Sequence, residues 1–395
     1  MRIAFVVSDL SYPPREGLHQ QSLVTANLIA GPGREVDIFG FVRDPARLDR
    51  DALLADLGIS FAEEPISTRL PQLVRALLNL FLPDAMLGRR IATLRVQLAK
   101  YDVVHLENVS ACALARGDIA EKTIIGLIDP GTLRWRRLAT GSDRLIERSK
   151  ARVFLSLHNL IEGRLLSRKT YAHVVSAEDA AYLRRRRPQA VVTAIPVSLP
   201  PDIVDEATRE LPEKESRSAV VFLDLRQPHL RASLEWFVET VLRPRADEFA
   251  KFTFTVMGRV EPDSGLLDLC RELPIRFVSW VNDYKVMLKS ANVVITPDRA
   301  GTGLKNRVIQ SMGLGCAVIG TSVAFEGIAA SNYVNAVIAD DPGAMSDALL
   351  RLMVDDDARE RMGTKAMTFA MQEFHPGKVQ ARWHALQDEI RAHRE

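Results

Sequence analysis

The residues most suited to chemistry lie in the last third of the chain. An apolar run, Val293–Thr296, leads into Pro297-Asp298-Arg299-Ala300-Gly301-Thr302-Gly303-Leu304-Lys305, and helical periodicity starts at Asn306. Glycines at 301 and 303 in front of a helix expose backbone N–H groups at its positive end, an arrangement suited to a diphosphate. Lys305 adds a mobile positive charge beside that turn. A plain strand–turn–helix with a solvated lysine fits the same residues.

Other candidates stand at the ends of apolar runs. Glu107, two residues after His105, reads either as a general base for an acceptor hydroxyl or as an exposed loop carboxylate or helix cap at Asn108. His105 reads as a packed strand residue. Asp129 either meets an acceptor or shapes the turn before Pro130 and Gly131. Arg226 either reaches a phosphate or belongs to a surface loop, and Glu326 fits a ribose contact or a helix N-terminal turn. Two Asp-x-Asp triplets, Asp49/Asp51 and Asp355/Asp357, start helical segments, where capping is favoured over metal binding, so no metal site is expected. Basic clusters occur at Arg134, Arg136 and Arg137 around Trp135, and at Arg184–Arg187. They read as a contact for a lipid headgroup or anionic acceptor, or as a solvated helix face, and we favour the latter.

Several chemistries are excluded. The chain has no GxxxxGK[ST] loop, no GxGxxG after its first strand and no GxSxG. Its three cysteines, Cys112, Cys270 and Cys316, are far apart and form no disulfide framework. Net charge is +2, but residues 1–195 carry +7 and residues 196–395 carry −5, which argues against a uniform nucleic-acid surface. No apolar run is long enough to span a bilayer. Met1–Asp9 is too short for a signal peptide and reads as a first strand, so a cytoplasmic protein is expected.

These residues need a scaffold, and 395 residues suggest two domains. Strand-length apolar runs occur at Ile3–Val7, Val36–Phe41, Val103–Leu106, Thr123–Ile128, His173–Val175 and Val191–Ile195, with helical segments at Gln20–Ala30, Leu70–Leu82 and Gly88–Lys100. The alternation restarts at Ala219–Leu223, Phe252–Met257, Ile275–Phe277, Val293–Thr296, Ala317–Gly320 and Ala336–Ile338, with helices at Leu230–Val241 and Asn306–Leu314. Continuous apolar strands between helices predict an α/β protein of two doubly wound parallel sheets. Pro196 to Ser218, rich in proline and charge, reads as a linker. Ligands in such sheets bind at the carboxyl ends of strands, which places the expected site in a cleft between domains.

At these residues the sequence resembles the bacterial GT-B glycosyltransferases of the retaining family 4 type (glycosyl transferases group 1). Pro297, Gly301, Gly303, Lys305, Met312, Gly315, Thr321, Glu326 and Gly327 match the family's C-terminal pattern. Leu234–Val238 looks like its Trp-Phe helix, Val174–Asp179 like its Val-Ser-x-x-Asp segment, and Val192–Pro196 like its linker entry. Tyr12-Pro13-Pro14 with Gly17 resembles its N-terminal loop, and Asp102–Glu107 its mid-domain strand. Two glutamates that members commonly carry eight positions apart, one for the donor sugar and one for the ribose, are Thr302 and Gln310 here. The second glycine of the N-terminal Gly-Gly loop is Leu18.

The resemblance implies a GT-B architecture: an acceptor-binding domain at 1–195, a linker at 196–217, a nucleotide-sugar domain at 218–373 and a C-terminal helix at 374–395 that returns to the first domain. It implies transfer from a nucleotide-diphosphate sugar to a glycan, lipid-linked or other glycoconjugate acceptor, without metal or other cofactor, at the cytoplasmic face of the membrane. Donor contacts would come from Gly17, Arg226, Gly301, Thr302, Gly303, Leu304, Lys305, Gln310 and Glu326, and catalysis from Glu107 and Asp129. Two rivals remain: a non-catalytic nucleotide- or partner-binding module, motivated by the loss of both carboxylates, and a GT-B-fold nucleotide-sugar epimerase, which needs acid/base groups around the donor and no acceptor.

Overall fold

The computed structural model describes residues 1–395 except 8–9, 15–16, 43, 65, 68–87, 108–113, 116, 142–144, 167–169, 210–216, 259–262, 280, 282, 302 and 394–395. The expected helix Leu70–Leu82 and the candidate Thr302 lie outside the described residues. The chain forms two compact units, Met1–Pro196 with Val379–Glu395, and Val197–Lys378.

In the first unit the described strands form one parallel sheet. They are β1 (Arg2–Val7), β2 (Glu35–Val42), β3 (Ile66–Ser67), β4 (Val103–Glu107), β5 (Thr123–Ile128), β6 (Tyr171–Val174) and β7 (Val191–Ala194), in the order β3-β2-β1-β4-β5-β6-β7. Every residue of β4 and β6 is buried, because helices cover both faces of the sheet. The last helix, Pro376–Ala392, buries Val379, Trp383, Leu386 and Ile390. That stripe at helical spacing joins Ile3 and Phe5 of β1 in one core cluster. Arg34 fixes the helix from outside, donating to Gln387 Oε1 at 2.9 Å and to Asp388 Oδ1 at 2.5 Å.

Between β5 and β6 the chain makes a helical hairpin, Gly131–Gly141 and Leu145–Leu166. Apart from the basic cluster around Trp135, read as a solvated helix face, no helix was expected here, because arginines interrupt the apolar stripe. Trp135 stacks on Phe154 across the hairpin with centroids 4.5 Å apart. The aromatic between the arginines therefore packs inside the hairpin.

The second unit repeats the pattern with β8 (Ser218–Phe222), β9 (Thr253–Met257), β10 (Ile275–Val278), β11 (Val293–Thr296), β12 (Val318–Gly320) and β13 (Val337–Ile338), all parallel in the order β10-β9-β8-β11-β12-β13. The strand order reverses between β8 and β11, the position where doubly wound sheets open a crevice at their carboxyl edge. The expected helix Leu230–Val241 is an α-helix, Pro228–Trp236, that widens into a π-turn, Phe237–Leu242, burying Phe237, Val238, Val241 and Leu242.

Much of the segment expected as a linker is built into this unit. Pro201 opens a helix to Ala207, and Leu199 and Ile203 press on Gly313, where an added Cβ would lie 2.9 Å from Leu199. Glu206 and the buried Lys289 form an ion pair at 3.2 Å. Both Asp-x-Asp triplets cap helices: Asp49 accepts from Ala52 N and Asp355 from Ala358 N.

Candidate functional site

In the second unit, β11 is buried along its length and delivers Pro297 and Asp298 to its carboxyl edge. Asp298 is fully buried; Arg307 donates to one carboxylate oxygen, and the Thr321 hydroxyl donates to its backbone carbonyl. β12 can run this close because residue 320 is glycine: a Cβ there would sit 2.4 Å from Thr296 Oγ1. Asp298 and Arg307 thus close the ends of the turn that carries Gly301, Gly303, Leu304 and Lys305.

Gly301 and Gly303 have φ of 134° and 72°, which side chains disfavour, so both glycines are required by the turn's path. Lys305 occupies the N-cap position of helix Asn306–Gly313, and its side chain makes no capping hydrogen bond. The expectation of a mobile, solvated lysine is corrected. Lys305 is only 8% exposed, donates to Gly303 O at 2.6 Å and lies 3.8 Å from Glu326 Oε2. The buried stem and these contacts hold the ammonium inside the turn.

The structure brings Lys305 and Glu326 together, with Glu326 in a turn after β12 rather than in a helix. Gln310 lies further along the same helix and accepts from Tyr284 Oη at 3.4 Å. Burial pushes the Tyr284 phenol well above its usual range, so it stays a donor at neutral pH. Arg226 is held by its own loop, donating to Asp224 at 2.9 and 2.6 Å. Arg299 is exposed and lies over the Trp236 ring at 4.6 Å. Asp298, Arg307 and Arg299 were not singled out in the sequence. The only signal was their position around the Gly-x-Gly turn.

In the first unit Glu107, Asp129 and Gly17 are all at the carboxyl edge of the sheet. Glu107 ends β4, and Gly17 opens helix Gly17–Ile29. Asp129 follows Ile128, whose φ of 63° bends the chain out of β5. The reading of Glu107 as an exposed loop carboxylate or helix cap is corrected. It is 4% exposed, and its Oε2 lies 2.9 Å from His105 Nε2. Gly126 on β5 makes room for this pair, since a Cβ there would come 2.7 Å from Glu107 Oε2.

His105 packs between Phe5 and Trp383, and His173 lies 4.4 Å from the Trp383 ring. His173 donates from Nε2 to Ile195 O at 2.8 Å, and burial lowers its pKa to about 4. Unfolded histidine titrates near ~6.5, so the unfolded state takes up this proton first. The contribution of His173 is complete above that value and is lost as pH falls towards 4, with a slope of up to about 1.4 kcal/mol per pH unit. Denaturation of wild type and His173→Gln from about pH 7 to about pH 4.5 checks this, with the glutamine variant expected to lack the slope. Parallel profiles would remove His173 from the acid response.

Comparison with known proteins fits this geometry. Residues 220–355 match the family model described as glycosyl transferases group 1. Sucrose-phosphate synthase from Thermosynechococcus elongatus superposes with a TM-score of 0.66 and 15% identity, over 99% of each chain. Anabaena HepE in complex with UDP gives 0.65 and 13%, over 98% of this chain and 100% of that one. WaaG, a glycosyltransferase involved in lipopolysaccharide biosynthesis, gives 0.64 and 13%, over 98% and 99%. The comparison with curated proteins finds no match. The chain therefore has the GT-B fold, and its second unit carries the glycosyl transferases group 1 pattern.

Proposed function

We propose that the protein is a glycosyltransferase that takes a sugar from a nucleotide-diphosphate donor held by the second unit. One observation carries this reading: the helix N-terminus at Asn306, which Lys305 does not cap, follows a Gly-x-Gly turn with the lysine ammonium anchored inside it. Backbone N–H groups and a fixed cation stabilise a departing diphosphate where its charge develops. Glu326 and Gln310 serve as polar partners for the ribose or sugar hydroxyls. In the first unit the His105–Glu107 pair and Asp129 are the candidates for acceptor chemistry. The acceptor is a glycan or lipid-linked glycoconjugate, and transfer proceeds with retention and without a metal ion, in the cytoplasm at the membrane face. Support for these finer points comes from the family resemblance, from HepE with UDP and from WaaG, a glycosyltransferase involved in lipopolysaccharide biosynthesis. No described helix is long and apolar enough to cross a membrane.

Lys305→Ala should weaken nucleoside-diphosphate binding by roughly 1.5–3 kcal/mol, the size of a hydrogen bond to a charged group. Calorimetry with a panel of nucleoside diphosphates measures it; unchanged affinity in the folded variant removes Lys305 from the site. A second reading, a non-catalytic nucleotide-binding module, is favoured by Gln310 and Thr302 in place of carboxylates. Turnover of a nucleotide-sugar panel with and without glycan acceptors separates the two. Failure to bind any nucleoside diphosphate overturns both.

A further inference from the structure

The first unit contains a cavity of about 570 Å³ that the donor reading does not use. It lies between the two hairpin helices, Gly131–Gly141 and Leu145–Leu166, and the helix Ala177–Arg186. Three of its lining residues are Arg136, Arg152 and Arg186, one from each helix, joined by Thr140, Ser156 and Asn159.

The arginines' partners set this cavity apart. Many guanidiniums elsewhere meet carboxylates: Arg34 with Asp388, Arg50 with Glu64, Arg231 with Asp263 and Arg307 with Asp298. Among the described residues, no carboxylate forms a salt bridge with Arg136, Arg152 or Arg186. Glu162 feels the charge of Arg186 and Arg187 but is buried, and its two oxygens accept from Thr132 N and Oγ1 at 2.9 and 2.6 Å. Arg186 instead donates to Asn159 Oδ1 at 2.9 Å and lies over the Tyr182 ring at 5.6 Å. Asn159 Oδ1 also accepts from Arg187, an orientation that leaves the Asn159 NH2 as a further donor. Tyr182 is fixed from behind through its hydroxyl, which donates to Thr132 Oγ1 at 3.3 Å.

Three positive charges and a side-chain amide around one concavity favour an oxyanion, while the Thr140 and Ser156 hydroxyls donate to the Arg136 and Arg152 carbonyls of their own helices. Planar guanidinium forks match phosphate oxygens in pairs. The volume is that of a small-molecule site rather than of a bare ion. We propose that this cavity binds a phosphomonoester or phosphodiester carried on a molecule of about sugar size. The proposal rests on the first unit alone and stands whether or not the second unit binds a nucleotide.

The test compares wild type, Arg136→Gln/Arg152→Gln and Lys305→Ala, each as the full chain, with glycerol 3-phosphate by calorimetry. The altered arginines are exposed, and equal melting temperatures without ligand establish that the double variant is folded. Binding should weaken by about tenfold or more in the double variant and be unchanged in Lys305→Ala, which separates this cavity from the Gly301–Lys305 turn. A parallel arm uses flotation with phosphatidylglycerol and phosphatidylcholine vesicles. Loss of phosphatidylglycerol binding in the double variant, without glycerol 3-phosphate binding by wild type, identifies the phosphate as a lipid headgroup. Indifference of both probes to the double substitution overturns the proposal, as does glycerol 3-phosphate binding that only Lys305→Ala abolishes.

Discussion

Replacing Trp383 by alanine should lower the stability of the first unit by about 3–5 kcal/mol, the range for removing a fully buried tryptophan. The side chain is 2% exposed and contacts His105 and His173, with ring centroids 5.1 and 4.4 Å away. It sits between Val379 and Leu386 on the helix stripe that shares a core with Ile3 and Phe5 of β1. A cavity there opens beside two histidines whose Nδ1 atoms have no hydrogen-bond partner among the described residues. The surrounding strands cannot collapse onto the gap without breaking the β1–β4 ladder, so little of the loss is recovered. A loss of this size is a large fraction of the ~5–15 kcal/mol typical of a folded domain. Because the chain has two units, denaturant unfolding should be followed by probes assigned to each. The first unit's transition should move and the second's should not, and Trp383→Phe should fall between wild type and alanine. A Trp383→Ala protein within about 1 kcal/mol of wild type would show that the last helix contributes little to this core.

The strands were legible because their apolar runs are local and uninterrupted. Ile3–Val7, Thr123–Ile128 and Val293–Thr296 each became a strand, since buried parallel strands need no partner information to be recognised. The two-residue β3 carries too little pattern to be read. The hairpin at residues 131–166 was missed because its charge is spread around both helices, while its stability comes from contacts such as Trp135 on Phe154. Proline and charge at 196–217 read as a linker, although Pro201 begins a helix there and Glu206 pairs with Lys289, 83 residues away.

The site divides along the same line. Gly301 and Gly303 could be read because left-handed φ values demand glycine. The fixed position of Lys305 could not, since it depends on Glu326, which arrives from beyond β12. The burial of Glu107 depends on Gly126 in the neighbouring strand, and only strand register reveals that pairing. Residue type thus predicted which groups could act, and packing decided how exposed each one is.

Asp298→Ala should cost about 3 kcal/mol, near the lower end for breaking a buried ion pair by removing one partner. Asp298 has no exposed surface, whereas the Arg307 side chain keeps 18%, so the stranded guanidinium can partly turn to water. The other carboxylate oxygen, Oδ2, is buried without a hydrogen-bond partner among the described residues. Asp298→Asn should therefore be milder, because an amide still accepts from Arg307 and carries no buried charge. The pair spans the turn that holds Gly301, Gly303 and Lys305, so both substitutions should also weaken nucleoside-diphosphate binding. Replacing the pair together, Asp298→Leu with Arg307→Met, separates the two effects. Stability should return most of the way to wild type, as it does when buried ion pairs are exchanged for apolar side chains of similar volume. Affinity should remain low, because the turn has lost the link that sets its ends. Chemical denaturation and nucleotide calorimetry on the same four proteins supply both numbers. If the double variant recovers affinity along with stability, the Asp298–Arg307 pair supports the fold of the second unit and does not position the turn.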